Sequence, residues 1–225
     1  EFMDDRVRAP DEMEAFTALP TLGVIPSNEE AQPPLDLLFD PRSAFAESYR
    51  SLATSLQFAS QTGLPRSIVV TSSGPAEGKS TTSLALARHF AMTGLKVLLI
   101  DADLRRPSLH LQLGVDNSTG LCNYLTGAVS PPEVIQQTDV PLLAFLPSGP
   151  LPPNAADILA GPRMHSLVTV GLEVFDLIVI DAPPILGVAD APLLSSAAQA
   201  TIFVVAAGQP RKPFIQSALQ RLRMA

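Results

Sequence analysis

The run Ser73-Gly74-Pro75-Ala76-Glu77-Gly78-Lys79-Ser80 sets two glycines, a proline and one lysine directly ahead of residues 81–87, TTSLALA, which read as helix. Such an arrangement serves an anion. Glycine lets successive backbone N–H groups turn inward on one negative charge. The first turn of the following helix adds its own unpaired N–H groups and the positive end of its dipole. Lys79 brings a full positive charge to the β- and γ-phosphates of a nucleotide, and Ser80, ahead of Thr81, offers a hydroxyl to Mg²⁺. Gly74, Ala76, Glu77, Gly78, Lys79, Ser80 and Thr81 are therefore the candidate nucleotide-binding residues. The general loop is G-x-x-x-x-G-K-[ST] between a strand and a helix. Ser73 stands where that pattern has its first glycine, so the strict match fails by one position while the strand-before, helix-after context holds.

A triphosphate with Mg²⁺ also needs carboxylates at the ends of neighbouring strands. Asp181 closes the run LIVID, and Asp101 and Asp103 close VLLIDAD. A lone aspartate after a strand is a common cap, but two such ends beside a phosphate loop point to a nucleotide site. Alternate strand residues share a side. Asp101 and Asp103 would thus repel each other unless a cation lies close. One of them would hold metal through water while the other orients or deprotonates a nucleophile, and Asp181 would also serve the metal. Arg105 follows at a distance that suits either a phosphate contact or a structural ion pair, and with both open it counts among the candidate nucleotide-binding residues.

The elements that must carry these groups are legible from periodicity. Short Val/Ile/Leu runs at 67–73, 96–103, 142–149, 175–184 and 200–208 read as strands. Helices are expected at 43–60, where Phe45, Tyr49, Leu52, Leu56 and Ala59 recur every three or four residues, from the quoted loop to about Met92, and from the PLPPN loop to about Val170. Residues 108–140 read as helical and irregular. The expected fold is α/β, a mostly parallel β-sheet flanked by helices on both faces, of the P-loop NTPase class with a deviant phosphate loop. All three motifs fall at the carboxyl ends of strands, where such sheets bind ligands. Hydrophobic residues make up 46% and aromatics 5%, with no Trp, so the core must rest on Leu, Ile, Val and Ala.

Charge is unevenly spread. Residues 1–47 hold 11 acidic and 3 basic side chains, a net of −8, and residues 48–225 hold 11 and 12, a net of +1. The body therefore lacks the basic footprint of a nucleic-acid binder, and Arg211, Lys212, Arg221 and Arg223 read as a solvated group. Residues 1–25 are expected to form a short acidic helix beginning at Pro10 and then an extended piece. The Pro-rich stretch 26–41 reads as a linker or a segment draped over the surface. One cysteine, Cys122, excludes an internal disulfide framework. His89, His110 and His165 are scattered and receive no metal role. No run reaches the roughly 20 apolar residues of a membrane span.

Taken together, SSGPAEGKST, LLIDADLRRP and LIVIDAPP resemble the three nucleotide motifs of bacterial tyrosine kinases, the cytoplasmic domains of polysaccharide co-polymerases that govern capsule and exopolysaccharide export. GLCNYLTG, LPSGPLPPNAADIL and DDRVRAPDEMEAFTALPTLGVIP extend the resemblance over nearly the whole chain. It implies ATP- and Mg²⁺-dependent autophosphorylation on tyrosine, usually in a Tyr-rich tail of a neighbouring subunit. Carried over by motif, Lys79, Asp101 and Asp103 form the catalytic set, with Asp101 as base or orienter of the tyrosine. Ser80, Asp103 and Asp181 serve the metal. The resemblance further implies the cytoplasmic face of the bacterial inner membrane, a juxtamembrane segment at 1–41 and a kinase domain at 42–225. Its partners would be a membrane co-polymerase domain or activator and a phosphotyrosine phosphatase, with no nucleic acid.

Two departures bear on function. The sequence holds two tyrosines, Tyr49 and Tyr124, and stops at LQRLRMA, before the strand and tyrosine cluster that the family carries. The family's Glu-x-x-Arg-x-x-Arg helix, which joins subunits into a ring, survives as Glu47 and Arg50 with Ala53 in third place. Spacing of three is expected to set all three on one stripe, so Ala53 would remove one intersubunit ion pair and weaken self-association. Two rival functions use the same loop and sheet. One is an ATPase switch of the ParA/MinD kind, whose loop has an additional lysine where this chain has Gly74. The other is a non-catalytic, nucleotide-gated assembly module.

Overall fold

The structure, a computed structural model, describes residues 5–27 and 34–225. Its centre is a sheet of six strands among the described residues: β1 (Ser67–Ser72), β2 (Val97–Asp101), β3 (Gln136–Gln137), β4 (Leu143–Leu146), β5 (Leu177–Asp181) and β6 (Ala200–Val204). The order is β3-β4-β2-β5-β1-β6, parallel throughout except for the short antiparallel β3–β4 pair at one edge. Every residue of β1, β2, β4 and β5 is buried, as continuous apolar runs in a parallel sheet require. Alternation divides them between two cores. Val69, Leu98, Ile100, Ile178 and Ile180 face one side, and Ile68, Val70, Leu99 and Val179 the other.

Helices cover both faces. On the second side lie α2 (Pro34–Phe39), α3 (Ala44–Phe58) and α4 (Lys79–Met92), which contribute Leu38, Tyr49, Leu52, Leu56, Leu86 and Phe90. The apolar stripe of α3 is buried as its period predicts, and the Ser43 hydroxyl caps it by accepting from the Ala46 N–H. On the first side lie α6 (Leu121–Leu125), α8 (Ala155–Leu159), α9 (Pro162–Val174) and α10 (Asp190–Ser196). The remaining helices are α1 (Pro10–Thr17), α5 (Leu109–Leu113), α7 (Pro131–Val134) and α11 (Lys212–Arg223).

Two differences from the sequence-based expectation have local causes. The single helix expected after PLPPN is two, α8 and α9, because Pro162 has no N–H to continue α8 and instead starts a new helix. Part of the expected linker, 34–39, is the helix α2, and it buries Leu38 against α3 and α4; residues 28–33 of that stretch lie outside the described residues. Residues 1–4 lie outside them too. The basic group is solvated as expected: Arg211, which caps α11, and Arg221 and Arg223 within it are exposed while Ile215, Ala218 and Leu219 are buried.

The leading segment packs against this last helix. The Gly208 N–H donates to the Val7 carbonyl at 2.8 Å and the Lys212 N–H to the Asp5 carbonyl at 2.8 Å. Val7 is buried against Ile215 and Leu219. The Pro10 helix starts where expected, and its Glu12 pairs with Lys212.

The loop after β4 meets the start of α6 backbone to backbone. A Cβ built on Gly120 would sit 2.2 Å from the Pro147 carbonyl oxygen and 2.5 Å from the Gly149 nitrogen. Neither backbone atom can rotate away. Gly120→Ala should therefore lower the unfolding free energy by about 1–3 kcal/mol, the usual range for overpacking, read as a fall in the urea midpoint at unchanged slope.

Candidate active site

Strand register brings the motifs to one edge. Asp101 at the end of β2 is directly opposite Asp181 at the end of β5, and Val70 of β1 is opposite Asp181 from the other side. The chain leaving β1 then turns through 73–78 into α4. Ala76 (φ 60°) and Gly78 (φ 90°) both take left-handed conformations in that turn. The second suits glycine; the first is strained for any residue with a Cβ. Glu77 folds back inside the loop. Its carboxylate accepts from the Ser73 N–H at 3.0 Å and from the Ser73 hydroxyl at 2.7 Å. This explains the serine in place of the first glycine: its hydroxyl braces the loop from within. Burial pushes the Glu77 carboxyl above its usual range, against the two bonds from Ser73.

Lys79 opens α4 and reaches into a group of carboxylates. Its Nζ lies 2.9 Å from Asp103 Oδ2 and 3.4 Å from Asp181 Oδ2. Asp181 is fully buried and accepts from the Ser80 hydroxyl at 2.6 Å and the Ser83 hydroxyl at 3.1 Å. Asp103 also accepts from the backbone N–H groups of Arg105 and Arg106, at 3.3 and 2.9 Å. Asp101 is fully buried, and its carboxylate accepts from the N–H groups of Asp103, Ser108 and Leu109 at 3.1–3.3 Å. Burial, then the Asp181 charge, pushes Asp101 up to about 7. Burial also raises Asp181, against the pull of Lys79. For Lys79 burial acts downward, but Asp181 and Asp103 outweigh it and hold the amine above its ordinary value.

The predicted residues thus divide. Lys79, Ser80, Asp101, Asp103 and Asp181 converge. Gly74, Ala76, Glu77 and Gly78 shape the loop that precedes them. Ser80, not Thr81, is the hydroxyl that reaches Asp181, and Thr81 is half-buried beside it. Arg105, left open between phosphate and ion pair, forms the ion pair: Nε and Nη2 donate to the two oxygens of the buried Asp190 at 2.8 and 3.0 Å. Glu47 and Arg50 bond to each other at 2.8 Å on the exposed side of α3. Ala53 does not share that side. It is fully buried in the core, because each three-residue step falls about 60° short of a full turn, which sets Ala53 about 120° from Glu47.

Two functional neighbours escaped the sequence. Ser83 sits one turn after Lys79 on the same face, a four-residue spacing that could have flagged it. Asp190 heads a helix with buried Ala191 and Leu194. A carboxylate on such an apolar stripe is itself the signal, since unpaired charges are not buried.

The contacting set holds three carboxylates and one amine, a deficit that a divalent cation would fill. Among the described residues no three His, Cys, Asp or Glu side chains form a protein-only metal cage. Mg²⁺ needs none when phosphate oxygens and water complete its shell, so the residues present fit that ion.

This sheet, loop and carboxylate set define a P-loop phosphoryl-transfer domain. A family model described as AAA domain matches residues 66–209. Tyrosine-protein kinase YwqD of Bacillus subtilis is 40% identical over 173 residues, covering 77% of this chain and 73% of that protein. EpsB of Ralstonia solanacearum is 39% identical over 164 residues, covering 73% of this chain but 22% of that protein. Among solved structures, the kinase domain of Escherichia coli tyrosine kinase ETK superposes with a TM-score of 0.89 at 30% identity, over 97% of this chain and 89% of that one. The Pyrococcus horikoshii septum site-determining protein MinD, complexed with Mg-ADP, reaches a TM-score of 0.54 at 30% identity, over 62% of this chain and 57% of that one. The chain belongs to the bacterial tyrosine-protein kinases.

The raised Asp101 sets a sign for pH. In the unfolded chain this carboxyl ionises near 4, and in the folded, ligand-free protein near 7. Its contribution to stability is present below about 4, fades as pH rises to about 7, and stays lost above. Asp101→Asn should therefore gain stability relative to the parent between pH 5 and pH 8. Urea unfolding of both proteins at the two pH values measures the difference; an equal gap at both would show that Asp101 is ionised throughout.

Proposed function

We propose that this chain transfers the γ-phosphoryl group of ATP to protein tyrosine hydroxyls, and that the longer protein to which such a domain belongs autophosphorylates to regulate capsule or exopolysaccharide synthesis and export. The observation that carries the proposal is Lys79 held between Asp103 and Asp181, with the Ser80 hydroxyl on Asp181, at the head of a phosphate-loop helix.

In this proposal the turn from Gly74 to Gly78 and the first N–H groups of α4 cradle the phosphates. Lys79 leaves its carboxylates to meet the β- and γ-phosphates. Ser80, Asp103 and Asp181 would hold Mg²⁺, which would supply neutralisation of charge on the phosphate oxygens. Asp101 takes the tyrosine proton. A base works best with a pKa close to the operating pH, and burial next to Asp181 gives Asp101 that value. The N–H groups at 108 and 109 fix its orientation. Arg105 remains with Asp190 rather than on phosphate.

The acceptor comes from elsewhere. Tyr49 and Tyr124 are both buried, at 4% and 8% exposure. Tyr49 meets the Thr82 hydroxyl at 3.3 Å and Tyr124 donates to the Arg163 carbonyl at 3.2 Å. A tyrosine-rich segment of another subunit fits the demand, and Glu47 and Arg50, exposed on α3, would join the subunits. The longer protein would sit at the cytoplasmic face of the inner membrane, with residues 1–41 juxtamembrane and 42–225 the kinase domain. A membrane co-polymerase domain or activator would be its partner, and a phosphotyrosine phosphatase would oppose it. No helix among the described residues is long and apolar enough to cross a membrane.

The ATPase-switch alternative draws on the MinD-like part of the fold, but Gly74 occupies the place of its extra lysine. The product decides. Incubated with ATP, Mg²⁺ and a Tyr-rich peptide, the chain should yield phosphotyrosine on the peptide and none on itself, and Lys79→Met should abolish the signal. Lys79-dependent free phosphate without phosphotyrosine would favour the switch, and nucleotide binding with neither product the assembly module.

A further inference from the structure

Asp190 lies outside every nucleotide motif, 85 residues beyond Arg105. It is fully buried, and both its oxygens are taken by the Arg105 guanidinium in a bidentate pair. Such forks fix geometry as well as charge. The segment that Arg105 belongs to, 103–107, needs a fixed point. Its backbone N–H bonds run to Asp101 and Asp103 themselves. Apart from the Asp101 bond, the polar ties between this segment and other elements among the described residues are Lys79–Asp103 and Arg105–Asp190, with Leu104 buried beneath. The first tie must open when Lys79 turns to phosphate. The second then holds the segment.

The other side of the pair is secure without it. Residues leading to α10 are bonded to the phosphate-loop strand through Ile185 N–H to Ser72 and Leu186 N–H to Ser73. Ala191 and Leu194 are fully buried. The pair therefore transmits in one direction, from a rigid helix to the segment bearing Asp103. Because Asp103 Oδ1 accepts from the N–H groups of Arg105 and Arg106, a displaced Arg105 would rotate that carboxylate away from the site.

We propose that Asp190 is a positioning residue for phosphoryl transfer: through Arg105 it holds Asp103 in place for Mg²⁺ once Lys79 has moved to the nucleotide. The proposal rests on the kinase reading for its activity arm and on the phosphate loop alone for its binding arm. The test compares the parent chain with Asp190→Asn, Arg105→Gln and the double variant. ADP binding with and without Mg²⁺, thermal unfolding and peptide phosphorylation are measured for each.

The expected result is an unchanged ADP affinity without Mg²⁺, a raised Mg²⁺ concentration for half-maximal tightening, and phosphorylation slowed about 10–100-fold, the range for partners that orient a metal ligand. The double variant should lose no more than the worse single one. Parental Mg²⁺ dependence in both single variants would overturn the proposal. So would loss of metal-free ADP affinity in step with a lower unfolding temperature, the mark of a structural prop only. Arg105→Gln carries the test if Asp190→Asn fails to fold. If the parent makes no phosphotyrosine, the kinase proposal fails while the ADP arm still decides the role of Asp190.

Discussion

Three aspartates gathered at the ends of two adjacent strands, with a single lysine among them, are the constraint around which this chain is arranged. Carboxylates leave water only when something replaces it. Here the replacement is assembled piece by piece: the Lys79 amine and the Ser80 and Ser83 hydroxyls for Asp181, and backbone N–H groups for Asp101 and Asp103. The compensation is incomplete, which is why burial still drives Asp101 and Asp181 upward. A site left short of positive charge is one prepared to receive it with its ligand.

The sheet makes that gathering possible. Parallel register sets Asp101 opposite Asp181 and leaves the phosphate loop to emerge from the next strand over. None of this depends on the loop's own sequence. It depends on apolar runs that bury both strand faces and so admit one register each, since a slip by one residue would exchange the two cores.

That same property made the strands readable in advance. Their runs of Val, Ile and Leu have no other stable use, and the stripe of α3 is equally unambiguous. The failures share a different character. In α2 two prolines ahead of Leu35 hid a short helix behind a linker's composition. Ala53 was misplaced because a spacing of three looks like one face over one turn and is not over two. Arg105 counts as a nucleotide-binding candidate by spacing but pairs with Asp190, a partner 85 residues away that only the packed sheet brings to it. Glu77 read as a member of a phosphate loop, whereas its carboxylate turns inward to Ser73, an intraloop bond that no spacing rule specifies. Local periodicity, then, gave the scaffold and the motif ends; long-range pairs and inward-facing polar side chains needed coordinates.

The burial of the tyrosines has an optical consequence. With no Trp in the chain, its near-ultraviolet absorption and emission come mainly from Tyr49 and Tyr124. One of these phenols touches Thr82, in the first turn of α4 and three residues after Lys79. The hydrogen bond of a buried phenol tunes its spectrum, so the fold carries a native chromophore wired to the helix that the nucleotide would meet, with Tyr124, on the opposite face of the sheet, as its internal reference.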